Sequence, residues 1–393
     1  MGKKKIILAY SGGLDTTCAI PWLKENGFDE VICFSANLGS EFTPEDLIRR
    51  GKATGASKVY VKDLRKELAD DYLIRGLKAN AVYEDKYVLS TAYGRPLIAK
   101  YLVELAQKEG IDHVAHGCSA KGNDQVRLDV AVKMLQPELK IIAPLRYWEL
   151  SSRESEIEYA EQKNLPIKLT KEKIYSIDQN IWGIAIECGA LEDLRNEAPE
   201  DSYMIARKIE NTPDVPEYVS IDFEKGVPVA LNNEKMEFAA ILEALNETAG
   251  RHGVGRTDMV EDRIVGIKSR EIYEAPAAWT LLHAHKELEA AVLDRETLAF
   301  KEVVSQKYAQ LVYQGLWFTR LRKSLDAFID KTQEHVTGTI KLKLFKGNIT
   351  VASRDTCYSL YKMNLATYGD EDEFVRENAE AFIDLYAMPF LEK

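Results

Sequence analysis

The chain has 393 residues, 46% hydrophobic and 29% charged, with 52 Lys and Arg against 63 Asp and Glu for a formal net charge of −11. At roughly 150 residues per domain, about two or three domains with a large buried core are expected, and a collagen, a disordered chain or a small disulfide scaffold is excluded. The acidic balance lacks the electrostatic signature of a nucleic-acid binder and favours small molecules or proteins as partners.

Lys3-Lys4-Lys5 precede the apolar Ile6–Ala9, but the run stops at Tyr10-Ser11-Gly12-Gly13. It is too short for a signal peptide, and no run approaches the ~20 apolar residues of a membrane helix. The cysteines at 18, 33, 118, 188 and 357 are scattered, without a C-x-x-C. Neither a disulfide framework nor a metal site is expected, and the expected location is cytoplasmic.

Ile6–Ala9 reads as a short buried strand, followed by a helix over Thr16–Glu25 that ends near Asn26-Gly27. Val31–Ser35 is strand-like. Thr43-Pro44-Glu45-Asp46 starts a helix, with Thr as cap, Pro at the first position and acids in the first turn. Lys58–Val61, His113–His116 and Ile141–Ala143 are further strands, with helices over Tyr101–Glu109 and Gln125–Leu135. Alternating strands and helices predict an α/β domain with a mostly parallel sheet over 1–167. The rhythm changes near Asn164-Leu165-Pro166. Val219–Phe223, Val227–Leu231 and Ile264–Ile267 are strand-like, Lys235–Leu245 and Ala277–Leu293 helical. Thr339–Leu344 and Ile349–Ala352 flank a four-residue turn. An α+β domain is expected over 168–362. From Asp370 onward, Phe374, Phe382, Leu385 and Tyr386 follow a helical period. A C-terminal helix within 363–393 packs either on a partner subunit or on its own domain.

Two segments carry chemistry. Ala9-Tyr10-Ser11-Gly12-Gly13-Leu14-Asp15-Thr16-Thr17 lies between a strand and a helix start. Its glycines allow close backbone approach, its hydroxyls donate, and the helix N-terminus adds free N–H groups; phosphate or pyrophosphate fits. An ordinary strand-to-helix turn would use some of the same residues, but ligands bind beyond the carboxyl ends of such strands. The loop is neither a Walker A loop nor a dinucleotide fingerprint, and H-E-x-x-H and G-x-S-x-G are absent. The second segment is His116-Gly117-Cys118-Ser119-Ala120-Lys121-Gly122-Asn123-Asp124-Gln125-Val126-Arg127. It too follows a strand and opens a helix.

The first loop resembles the pyrophosphate loop (PP-loop) of N-type ATP pyrophosphatases, and its nine residues match the first signature of the argininosuccinate synthase family. The second segment resembles that family's second signature, with Ser119 for the usual Thr and Leu128 for the usual Phe. Further similar segments surround Tyr87, Arg95, Ser176, Glu261, Tyr273, Tyr313 and Trp317, so the resemblance spans nearly the whole chain.

The resemblance implies an adenine nucleotide alpha hydrolase-like domain, a synthetase domain and a C-terminal oligomerisation helix in a homotetramer. It implies an AMP-forming ligase that joins citrulline to aspartate with ATP and Mg²⁺. Carried over, Ala9, Tyr10, Ser11, Gly12, Gly13, Leu14, Asp15, Thr16, Thr17, Ala36 and Gly117 would hold ATP. Ser119, Asn123 and Asp124 would meet aspartate. Tyr87, Thr91, Asn123, Arg127, Ser176, Glu261 and Tyr273 would meet citrulline. Ser11, Asp15, Asp124 and Arg127 are the expected catalytic residues. This chain has Ala92 and Ala185 where the family has serines, and Glu271 where Gly is common. A related ligase for another ureido or amide acceptor is therefore the alternative. A tRNA sulfurtransferase, or a silent binding protein with an intact loop, is the further alternative; scattered cysteines and net negative charge weigh against the first.

Overall fold

Ile6, Ile7 and Leu8 are completely buried in β1 (Lys5–Ala9), as befits a strand covered on both faces. The structure is a computed structural model that describes residues 3–40, 42–150, 153–167 and 175–392. Strands β1, β2 (Glu30–Asn37), β3 (Lys58–Asp63), β4 (His113–His116) and β5 (Lys140–Ile142) form a parallel sheet in the order β3-β2-β1-β4-β5. The chain order reverses at β1, so a crevice opens beyond the carboxyl ends of β1 and β4. Both motif segments start there.

Helices α1 (Leu14–Glu25), α2 (Pro44–Ala53), α3 (Ser90–Glu109), α4 (Asn123–Leu135) and α5 (Arg153–Gln162) cover this sheet. Thr43 caps α2 by accepting the Asp46 N–H at 3.2 Å, with Pro44 at the first position, as expected. Helix α3 is longer than the expected Tyr101–Glu109 and runs through Pro96. One missing N–H is outweighed there by burial of Ala92, Tyr93, Leu97 and Leu102. The expected boundary after residue 167 adjoins 168–174, which lie outside the described residues.

The second half carries two antiparallel sheets. One contains β6 (Ser176–Asn180), β7 (Gly183–Glu187), β11 (Arg256–Asp262) and β12 (Lys268–Glu274) in the order β11-β12-β7-β6. The other contains β8 (Glu217–Glu224), β9 (Val227–Leu231), β10 (Glu234–Lys235), β13 (Gly338–Phe345) and β14 (Asn348–Asp355) in the order β10-β9-β8-β13-β14. Ile264–Ile267, expected as a strand, is instead the turn between β11 and β12. Gly266 has φ +88° there, and Val265 and Ile267 are exposed. The strands on either side escaped notice because their buried positions include Glu261 and Glu271 rather than apolar residues. The β13–β14 turn is tighter than expected: Phe345 pairs with Asn348, and Lys346 and Gly347 adopt φ +49° and +79°.

Helices α6 (Phe238–Arg251), α7 (Pro276–Val292), α8 (Arg295–Tyr313) and α9 (Arg320–Thr332) pack on these sheets. A buried polar cluster ties them to the first half. Asn80 Nδ2 and Gln333 Nε2 each donate to Glu289 at 2.6 Å, and the Lys301 ammonium lies 3.0 Å from the same carboxylate. The His285 ring nitrogens face the Asn80 and Gln333 amide oxygens at 2.7 and 2.8 Å. Past β14 the chain leaves the body. Helix α10 (Asn378–Ala387) starts later than expected, and Tyr361, Phe382, Leu385, Tyr386 and Phe390 are exposed. The arm's apolar residues therefore do not bury themselves on their own domain.

Replacing Lys301 by Met leaves Glu289 ionised in a dry interior. Denaturant unfolding is expected to show a loss of about 3–5 kcal/mol. The double variant Lys301→Met with Glu289→Leu is expected to recover much of it.

Candidate active site

The first loop is shaped by its own hydroxyls. The Ser11 and Thr16 hydroxyl oxygens lie 3.0 Å apart, Gly13 N–H donates to Ser11 Oγ at 3.3 Å, and Thr17 Oγ1 donates to Gly13 O at 2.7 Å. Gly12 adopts φ +78°, and a Cβ there would meet Leu47 Cδ2 at 2.6 Å. Gly13 precedes α1 in extended geometry with no side-chain cap. The first N–H groups of α1 thus face the crevice at the positive end of the helix dipole, which suits an anion.

The second loop touches the first, since a Cβ on Gly117 would lie 2.7 Å from Thr16 Cγ2. His116 holds its start: Nδ1 accepts the Cys118 N–H at 3.2 Å, and Nε2 faces Asp129 at 2.8 Å. Ala36 is half-buried near the end of β2. Behind the loop, the Glu156 carboxyl on α5 is pushed up to about 9, first by burial and then by the charge of Asp15.

Helix α4 presents Asn123, Asp124 and Arg127 on its first turns. Asp124 accepts from Arg127 Nη1 at 2.9 Å and Arg95 Nη2 at 2.6 Å, and Arg95 also pairs with Asp178 on β6. Burial pushes the Asp124 carboxyl up, but the two guanidiniums outweigh it and hold it at about 2. Arg127 Nε donates to Tyr313 O at 2.7 Å, while its buried Nη2 has no partner among the described residues. Asn123 Nδ2 donates to Glu261 at 3.1 Å and to the Tyr313 hydroxyl at 2.8 Å, and Asn123 Oδ1 accepts the Ile264 N–H at 2.8 Å.

The facing surface is one side of the four-stranded sheet. Ala185 lies opposite Tyr273 and Asp178, Ser176 opposite Glu187, Met259 opposite Glu271, and Glu261 opposite Ser269. Strand alternation puts Ser176, Asp178, Ala185, Glu187, Glu261, Glu271 and Tyr273 on the same face. The Tyr273 hydroxyl lies 2.8 Å from Glu261 and from Glu271, and Tyr313 donates to the other Glu261 oxygen at 2.8 Å. The Tyr87 ring stacks on Tyr273 at 4.3 Å, and its hydroxyl lies 2.7 Å from Thr91 Oγ1. Arg263 bridges Glu187 and Glu271. Burial, then the Glu271 charge, pushes Glu261 up to about 7 and Glu187 up to about 6.

The sequence-predicted residues thus fall into two adjoining groups. Ala9–Thr17 and Gly117 form a loop pair; Tyr87, Thr91, Asn123, Asp124, Arg127, Glu261 and Tyr273 form a largely buried polar cluster. Ser119 and Ser176 are exposed beside it. Arg95, Glu156, Asp178, Glu187, Arg263 and Tyr313 were not singled out as site residues. They come from distant parts of the chain, and no spacing marks them. Of the two alanine departures, Ala92 is buried in α3 with its N–H 3.4 Å from the Tyr87 hydroxyl, and Ala185 lies on the sheet face opposite Tyr273.

Residues 5–166 match the family model described as "Arginosuccinate synthase N-terminal HUP domain", and 175–392 match "Arginosuccinate synthase C-terminal domain". The chain is 52% identical to an argininosuccinate synthase of Caldanaerobacter subterraneus subsp. tengcongensis, over 98% of this chain and 94% of that protein. It is 52% identical to one of Pelodictyon phaeoclathratiforme over 99% and 97%, and 51% identical to one of Carboxydothermus hydrogenoformans over 98% and 96%.

Because the folded state raises the Glu156 carboxyl from 4.5 to about 9, it keeps a proton that the unfolded chain has shed. Stability from this group therefore falls as pH rises through that window. Glu156→Gln is expected to gain about 1–3 kcal/mol at pH 8 and to flatten the pH dependence of thermal unfolding.

Proposed function

The chain belongs to the argininosuccinate synthase family, and from that premise we infer that it joins citrulline to aspartate with ATP, giving argininosuccinate, AMP and pyrophosphate. The observation that carries this reading is the Asn123 contact with Glu261 and Tyr313. It sets a buried, doubly charged amino-acid pocket directly beside an uncapped phosphate-type helix terminus.

In this reading Ser11, Gly12, Gly13 and Leu14–Thr17 cradle the ATP phosphates, with Ala36 and Gly117 beside the nucleotide. Mg²⁺, which would be held through those phosphates beside the Ser11–Thr17 loop, would supply neutralisation of their charge. The ureido oxygen of citrulline attacks the α-phosphorus, and the bond to the β-phosphate breaks to release pyrophosphate. The aspartate amine, once deprotonated, attacks the activated ureido carbon, and AMP departs with the electron pair of the C–O bond. Charge developing on the phosphates is met by the N–H groups of the loop and of the start of α1. Asp124, kept ionised by two guanidiniums, and Asn123 with Ser119 receive aspartate. Arg127, with one donor unpaired, takes a substrate carboxylate, and Tyr87, Thr91, Ser176, Glu261 and Tyr273 complete the citrulline pocket. Orientation of the two substrates supplies much of the rate.

The alanine departures do not favour another acceptor. Ala92 sits beside the Tyr87 hydroxyl and Ala185 beside Tyr273, so each removes one hydroxyl while Tyr87, Thr91, Glu261 and Tyr273 keep their places. The exposed apolar arm supports assembly of a homotetramer, and a cytoplasmic enzyme is the matching proposal. Among the described residues no helix is long and apolar enough to cross a membrane.

Mass spectrometry of a reaction with ATP, Mg²⁺, aspartate and citrulline is expected to find argininosuccinate, AMP and pyrophosphate in equal amounts. Folded, ATP-binding protein that forms none of the condensed product would refute the assignment. Gly12→Ala, strained at φ +78° and crowded by Leu47, is expected to weaken ATP binding about tenfold or more in calorimetry while the chain stays folded. Arg127→Lys loses the planar fork, and steady-state kinetics should show a fall in kcat/KM of about 10²-fold.

A further inference from the structure

We propose that Glu271, acting with Glu261 across the Tyr273 hydroxyl, is a seat for the α-ammonium group of the acceptor amino acid, and that the acceptor displaces a proton when it docks there. The proposal rests on the ureido-acceptor reading above.

The first observation is a count of protons. The Tyr273 hydroxyl has one hydrogen, yet a carboxylate oxygen lies 2.8 Å away on each side, from Glu261 and from Glu271. One of these contacts requires a further proton, carried by a carboxyl. The second Glu261 oxygen is already used by the Tyr313 hydroxyl and the Asn123 amide, and the second Glu271 oxygen by Arg263 at 3.0 Å. The extra proton therefore belongs between the two carboxyls and Tyr273.

The second observation is a count of charges over every element facing the pair. Strand β7 contributes Glu187, β11 and its following turn contribute Glu261 and Arg263, and β12 contributes Glu271. Helix α4 contributes Asp124 and Arg127, which pair with each other, and Arg95 of α3 is shared between Asp124 and Asp178 of β6. Helix α8 contributes Tyr313, and the segment before α3 contributes Tyr83 and Tyr87, all with neutral hydroxyls. Three carboxyls thus surround one guanidinium that is not otherwise committed. Glu261 and Glu271 are 1% and 9% exposed, so water does little to offset the excess. A proton is the smallest cation that relieves it.

The third observation points to the ligand. Arg127 is 3% exposed, and its Nη2 has no partner among the described residues. Its charge acts directly on Glu261. The site therefore offers an unused donor for a carboxylate and, next to it, a carboxyl pair short of positive charge. That is the complement of a zwitterionic α-amino acid. An ammonium group brings three N–H donors and a full charge, satisfies both glutamates, and makes the extra proton superfluous. The same arrangement penalises an acceptor whose amine is acylated, because the pair would then stay buried without its cation.

The test is Glu271→Gln, which keeps size and hydrogen-bonding atoms but removes the charge. The KM for citrulline is expected to rise about tenfold or more, with the KM for ATP and aspartate changed less than about twofold. Glu271→Asp should restore part of the affinity, and matched thermal unfolding of the variants shows that they are folded. Titration calorimetry of citrulline at pH 7, in two buffers of different ionisation heat, should show proton release by the unmodified chain and none by Glu271→Gln. N-acetylcitrulline should be rejected strongly by the unmodified chain and less so by Glu271→Gln. An unchanged citrulline KM in folded Glu271→Gln, or a rise confined to aspartate, would overturn the seat. Absence of proton release in the unmodified chain would overturn the displacement. An unmodified chain that makes no argininosuccinate would overturn the underlying reading, and this proposal with it.

Discussion

The Asn123 side chain is the hinge-pin of the molecule's chemistry. Its amide donates to Glu261 and Tyr313 and accepts from the backbone of Ile264. One residue on the first turn of α4 thereby joins the parallel sheet's crevice to the antiparallel sheet's polar face. A buried amide that loses a partner is penalised heavily, so this triple contact fixes how closely the two halves approach. Everything that must meet in the site depends on that approach: the phosphate-type loop from β1, the charged turn from β4, and the carboxylates of β7, β11 and β12.

Once the halves are closed, local charge decides protonation. Asp124 is half-buried and Glu261 buried, only a few side chains apart, yet the two carboxyls move in opposite directions. Two guanidiniums beside Asp124 hold it at about 2, whereas burial and Glu271 push Glu261 up to about 7. Environment thus gives one residue type two characters, a fixed anion and a group that titrates near neutrality. Tyr313 serves both sides: its ring lies against Arg127 and stacks on Tyr83 at 3.6 Å, while its hydroxyl holds Glu261. Gly315 is required nearby, because a Cβ there, at φ +75°, would come within 2.6 Å of Arg127 Cα.

The loop pair follows a different logic. Its hydroxyls are spent on holding the turn, and the N–H groups at the start of α1 are left without a side-chain cap. Such a terminus is satisfied by an anion from outside, which is why a short glycine turn at a switch point can bind phosphates with few charged side chains. The protein's net charge of −11 is therefore no obstacle to binding a polyanion. The exposed apolar residues of the C-terminal arm follow a third logic: they stay outside the core of their own chain.

The sequence by itself determined what depends on neighbours along the chain. The alternation of short apolar runs and helices, the uninterrupted Ile6–Leu8 strand, the Thr43-Pro44 helix start and the Ser11–Thr17 loop are all local, and each is where local rules place it. Local reading failed where burial replaced an apolar residue with a polar one. The strand expected over Ile264–Ile267 is the turn between β11 and β12, whose inward positions hold Glu261 and Glu271 where apolar side chains are usual. Helix α3 extends N-terminally of Tyr101 through Pro96, whose local penalty only packing overrides. The tertiary structure alone decided that Arg95 meets Asp178, that Tyr313 meets Asn123, and that Glu271 shares a tyrosine with Glu261. The physical reason is that charge pairing and desolvation act through space, between residues that the chain separates by tens to hundreds of positions, whereas propensity and capping act within a turn or two.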